Sequence, residues 1–170
     1  MEQRKPIGHV VAGLIIGGAL VLLSLVFSGD GGMASGWLPI LMAIGGLVLF
    51  IYLYGKANNN QKTFGELFSY GFKATAVLTL ILVVFIIMTA LLFPEMKTKV
   101  MEMSRLEMEK QNKLSDDEID SAVNMLDKYY WAFAIGGTML MYVILGAIGS
   151  LIGAAVTPKR PKTPFDQLSI

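Results

Sequence analysis

Four stretches of the chain are apolar without a single charged side chain, and the polar residues gather between them. The first, Ile7 to Phe27, is 21 residues long. At the rise of an α-helix it would span roughly 31 Å, the thickness of a bilayer's hydrocarbon core. The second, Trp37 to Tyr54, has Trp37 at one end and Tyr52 and Tyr54 at the other, which suits the two headgroup interfaces. The third runs from Ala74 to Phe93 and stops at Pro94; the fourth opens on Tyr129-Tyr130-Trp131 and ends at Val156. The pattern predicts an all-α, polytopic membrane protein with four transmembrane helices over about residues 7–27, 37–55, 72–93 and 129–156. The first run is too long for the apolar region of a signal peptide, so it is expected to remain as a helix.

The polar segments carry their own signals. Thr63-Phe64-Gly65-Glu66 and Ser115-Asp116-Asp117-Glu118 both fit the capping box, in which a hydroxyl and a carboxylate satisfy backbone N–H groups at a helix start. The first box precedes an amphipathic stretch in which Phe64, Leu67, Phe68 and Phe72 recur at helical spacing. That stretch is either an interfacial helix or the first turns of the third span, and the lack of a proline between them favours continuity. Downstream of the second box, Ile119, Val123, Leu126, Tyr130 and Phe133 form a heptad-like stripe. It predicts an extracytoplasmic helical hairpin over 95–128, between helices 3 and 4, whose second arm runs directly into the fourth span. One membrane domain is expected over 1–170.

Charge orients the picture. The ends and connections that must share one side carry Arg4, Lys5, Lys56, Lys62, Lys73, Lys159, Arg160 and Lys162 against Glu2, Glu66 and Asp166, a net of +5. The other side, Asp30 with the segment Glu95 to Lys128, has ten acids and six bases, a net of −4. The basic side is expected to be cytoplasmic, with both termini inside and the chain in a bacterial inner membrane. The overall charge of +1 argues against a nucleic-acid partner, which calls for a basic surface.

Candidate chemistry is sparse. Cysteine is absent and His9 is the one histidine, so thiol chemistry and Cys-based metal sites are excluded; no metal or cofactor is expected. The acids Asp116, Asp117, Glu118 and Asp120 lack the glycine and the ligand spacing of a calcium loop and read as helix-start charges. No Gly-x-Ser-x-Gly, Walker loop or HExxH occurs, and an enzyme is not expected. No charged residue falls at the middle of a span, which counts against an ion-coupled transporter. His9 reads as a hydrated interfacial residue. Small residues recur at helical spacing, with Gly13 and Gly17 as one pair and Gly146, Gly149 and Gly153 as a second set, and predict close helix contacts. Lys73 opens the third span beside the Phe64–Phe72 stripe. It is the best candidate for a lipid headgroup contact, with Lys62 assisting, while the default role for both is interfacial anchoring.

These features resemble a bacterial four-helix membrane family, domain of unknown function 4199. The likeness lies in Phe64 to Lys73, Leu91-Leu92-Phe93-Pro94, the turn Gln111 to Glu118 and the stretch Gly146 to Ala154. The resemblance implies four spans with an outer helical hairpin and carries no catalytic residues across. It also implies a partner among glycosyltransferases that use polyprenyl phosphates. The expectation is therefore a non-enzymatic accessory or scaffold subunit, in contact with membrane lipids and with a protein partner or further copies of itself. The alternative is an oligomeric lipid or polyprenyl-phosphate translocator.

Overall fold

A computed structural model describes residues 6–26, 37–111 and 113–160. Arg4, Lys5, Lys162 and the glycine-rich connection of residues 28–36 lie outside the described residues. Among the described residues every regular element is helical: α1 (His9–Val26), α2 (Trp37–Ala57), α3 (Phe64–Leu92), α4 (Glu95–Gln111), α5 (Asp116–Lys128) and α6 (Gly137–Val156), with a π-helical turn at Ala132–Gly136. Four helical stretches among them are long and apolar enough to cross a membrane: α1, α2, α3, and the π turn together with α6. This is an integral membrane protein by the length and composition of those helices.

The third span begins earlier than its apolar run. α3 is one continuous helix of 29 residues from Phe64, so the amphipathic stretch forms its first turns. Thr63 caps it: its backbone N–H donates to Glu66 Oε2 at 2.9 Å, and Glu66 N–H donates to Thr63 Oγ1 at 3.3 Å. Pro94 follows its end, where a missing N–H and a clash with the preceding turn prevent continuation.

The fourth span corrects the expectation of a direct run from the stripe. α5 ends at Lys128, and Tyr129 (φ −109°, ψ 22°) leaves helical geometry before the chain enters the π turn. Consecutive aromatic side chains lose rotamer freedom in a helix, and here two of them take a cation instead. Lys128 Nζ lies 5.4 Å from the Tyr129 ring centroid and Lys97 Nζ 5.7 Å from that of Tyr130. Along the stripe Ile119 is buried and Phe133 is exposed.

The chain divides into two compact units, one comprising Met1–Leu82 with Met141–Ile170, the other Val83–Leu140. In the second, α4 and α5 pack antiparallel. Lys97 near the start of α4 pairs with Asp127 near the end of α5 at 2.8 Å, and Arg105 pairs with Asp120 at 2.6 Å. In the first unit the fully buried side chains are led by Leu47, Ile51, Leu67 and Leu78. In lipid such residues gain little by leaving the solvent, so what holds the helices together is close van der Waals fit.

Glycine supplies that fit. A Cβ on Gly13 would stand 2.6 Å from the Ala74 carbonyl oxygen of α3, and one on Gly17 would stand 2.9 Å from Ile81 Cδ1. On α6, Gly146 lies against the Thr75 side chain, and a Cβ on Gly149 would come within 3.2 Å of Leu47 Cδ1. One on Gly153 would be 2.6 Å from Ile51 Cδ1. The glycine faces of α1 and α6 are thus occupied by α3 and α2 of the same chain.

Candidate functional site

At one end of the first unit the start of α1, the end of α2, the start of α3 and the segment after α6 come together. The connection from α2 to α3 turns on Asn59 and Asn60, both with left-handed backbone (φ 55° and 59°), a conformation asparagine tolerates better than most residues. Asn60 N–H donates to Gly55 O at 2.9 Å, and Asn60 O accepts from Arg160 N–H at 2.7 Å. Thr157 packs on Gly55, and Lys159 Nζ stands 5.6 Å from the Phe64 ring centroid. A tight polar loop is thereby fastened to the C-terminal segment.

Beside it opens a cavity of about 310 Å³. Its floor is one face of α3, where Glu66, Ser69, Tyr70 and Lys73 follow one another at intervals of three, one and three residues. That spacing sets all four on a single stripe. His9 from α1 and Tyr54 from α2 close the sides, and Gly65 leaves the mouth open, with nothing near the place a Cβ would occupy. The aromatic groups fix one another. The Tyr54 and Tyr70 rings stack at 4.1 Å, and the His9 ring meets Tyr70 edge-on at 6.4 Å. Tyr70 Oη donates to Ile7 O at 3.0 Å, tying the entry of α1 to the floor.

The two lysines singled out in the sequence are treated differently. Lys73 lines the cavity, is exposed, and has no ion-pair partner among the described residues. Lys62 is engaged: its Nζ donates to Glu66 Oε1 at 2.8 Å. That bond, acting against partial desolvation, raises the Lys62 pKa above its ordinary 10.5. The glycines Gly13, Gly17, Gly146, Gly149 and Gly153 belong to helix packing and do not line the cavity.

Sequence reasoning passed over His9, Tyr54, Ser69 and Tyr70 as components of a site. The signal for the α3 members was present in the polar stripe Glu66-Ser69-Tyr70-Lys73, which lies beside the aromatic stripe on the same helix. His9 and Tyr54 carried no such signal, because only the packing of α1 and α2 against α3 brings them there.

The assembled wall offers one ammonium, an imidazole and the hydroxyl groups of Ser69 and Tyr54, beside the Glu66 carboxylate; the Tyr70 hydroxyl proton is taken by Ile7 O. Such a set suits an oxyanion, since lysine acts as a point charge toward phosphate while hydroxyl and ring N–H groups supply hydrogen bonds. The second unit has a different cleft, of about 360 Å³, lined mainly by apolar groups such as Val100, Met101, Leu126 and Phe133 with Ser104 at its edge. Among known families, the model described as "Protein of unknown function (DUF4199)" matches residues 12–159. No curated protein and no solved structure matches the chain.

Proposed function

The chain belongs to the DUF4199 family of proteins of unknown function, and from that premise we propose that it is a non-enzymatic membrane subunit that holds a phosphate-bearing lipid headgroup in the cavity of α1, α2 and α3. The observation that carries this reading is the unpaired Lys73 ammonium on the wall of a polar cavity, at the end of a membrane-crossing helix. The exposed rings of Phe64 and Phe72 flank that wall and offer an apolar surface to the lipid's chains, as aromatic side chains do at the membrane interface.

The role that fits such a site is accessory: the subunit presents or retains a lipid for a partner, in keeping with a glycosyltransferase that uses polyprenyl phosphates. The charge split supports a cavity at the cytoplasmic leaflet and an extracytoplasmic hairpin for α4 and α5. Because the chain has no cysteine of its own, a single Ser115→Cys variant reports sidedness directly. Labelling by an impermeant reagent from the outer side supports this orientation, and labelling only after inner-side access overturns it.

Lipid retention tests the function. The detergent-purified protein is compared with Lys73→Gln by native mass spectrometry after exchange into phosphatidylglycerol. One lysine near an anionic headgroup contributes about 1 kcal/mol, so the variant should retain roughly fivefold less lipid while keeping its fold. Equal retention would reduce Lys73 to an interfacial anchor and remove the basis of the proposal.

A further inference from the structure

A cavity that takes an anion has a carboxylate in its wall. Glu66 lines the same space as Lys73, seven residues earlier on α3 and therefore almost in line with it along the helix. Left uncompensated on that half-exposed wall, it would oppose the attraction of the ammonium for a phosphate. It is compensated on both oxygens. Lys62 Nζ holds Oε1 at 2.8 Å, while the Thr63 N–H and hydroxyl hold Oε2 at 2.9 and 3.0 Å. With Lys62, Glu66 and Lys73 counted together, the wall is left with one net positive charge.

Helix stability alone is a poor reason for a lysine at this position. Lys62 precedes the cap of α3, where a cation opposes the helix dipole. A lysine four residues before a glutamate is also the less favourable order for such a pair. The capping box needs an acceptor at position 66, which glutamine supplies as well as glutamate. Neither the cap nor the dipole calls for Lys62; besides anchoring at the interface, what it does here is neutralise Glu66.

We infer that Lys62 is a specificity-determining residue of the headgroup site, acting through Glu66, and that its ion pair makes the cavity select headgroups of net negative charge over zwitterionic ones. This rests on the headgroup reading of the cavity. Lys62 does not meet the lipid; it silences the acid that would repel it. The raised pKa of Lys62 keeps the ammonium charged throughout the physiological range.

The test uses the full chain in nanodiscs of equal parts phosphatidylglycerol and phosphatidylcholine, with the ratio of co-purified lipids read by native mass spectrometry. Wild type should favour phosphatidylglycerol severalfold. Lys62→Met should bring the ratio close to that of the surrounding bilayer, and the double variant Lys62→Met/Glu66→Gln should restore the wild-type preference. Lys62→Gln, which keeps a donor for Glu66 without the charge, should behave like Lys62→Met and guards against a local loss of structure. A wild-type ratio in Lys62→Met, or a double variant that fails to recover, overturns the inference while leaving the headgroup site intact. A wild type that shows no preference and does not respond to Lys73→Gln overturns both.

Discussion

The two units of this chain are held together by different forces. In the first, glycine lets helices approach until there is no room for a side chain between them, as at Gly13, where a Cβ would stand 2.6 Å from the Ala74 carbonyl oxygen. In the second, α4 has no buried residue and α5 has only Ile119, and the pairing of the two helices leans on Lys97–Asp127 and Arg105–Asp120. A contact of the first kind has no slack, because backbone cannot rotate out of the way. A contact of the second kind is made by half-exposed, flexible side chains and is screened by salt. The cavity of α1, α2 and α3 is built on the unforgiving unit. Its floor, α3, is the helix against which Gly13 and Gly17 of α1 and Gly146 of α6 close, so Ser69, Tyr70 and Lys73 sit on a rigid base.

The largest effect expected from this contrast is at Gly13. A branched side chain there must displace the α3 backbone, so Gly13→Val should cost about 3 kcal/mol or more and lower the thermal midpoint in detergent by many degrees. Gly18→Ala is the matched comparison, since nothing lies within 4 Å of the added carbon. There the helix should be unchanged or stabilised, by up to about 1 kcal/mol. Equal destabilisation by the two would mean that close approach is not what the first unit depends on.

A smaller effect is expected in the second unit. Arg105 bridges Glu109 at 3.1 Å and Asp120 at 2.6 Å, all three about half-exposed. Arg105→Ala should therefore cost no more than about 1 kcal/mol, and the cost should shrink further at high salt. The readout is protease sensitivity within residues 95–128. A salt-independent loss comparable to that of Gly13→Val would erase the distinction between the units.

These contrasts were unevenly legible in the sequence. The spans, the two capping boxes and the small-residue spacing of α1 and α6 are local patterns, and local physics is enough to produce them. The continuity of α3 followed from a cap at Thr63 and the absence of a breaker before Pro94. The interruption at Tyr129 and the π turn were hidden because the heptad-like stripe continues through both; the rings of Tyr129 and Tyr130 are held by Lys128 and Lys97, and half of that arrangement lies 33 residues upstream. The cavity was half legible. Lys73 and the polar stripe stand in α3, whereas His9 and Tyr54 arrive from other helices. Lys62 was read as assisting Lys73, and its ion pair with Glu66 depends on the turn before α3, which spacing alone does not show.

The smallest effect concerns pH. The backbone N–H of Ser115, at 2.8 Å, and its hydroxyl hold the Glu118 carboxyl below its ordinary value. A carboxyl shifted downward on folding contributes stability above the usual carboxylate range and loses it as pH falls through the depressed pKa. The Ser115 amide resonance should therefore move only at the acid end of a titration, below the ordinary carboxylate range. In Glu118→Gln the same resonance should not titrate. A midpoint at or above the ordinary carboxylate value would deny the cap.

The central claim is that Lys73 and its neighbours hold a lipid phosphate, and the most direct measurement is a high-resolution structure of the chain in a phosphatidylglycerol nanodisc. A headgroup phosphate is expected in the cavity of α1, α2 and α3, within hydrogen-bond reach of Lys73 Nζ and close to Ser69 and His9, with Lys62 still paired to Glu66. A cavity filled by water alone, with ordered lipid phosphates elsewhere on the protein, would contradict it.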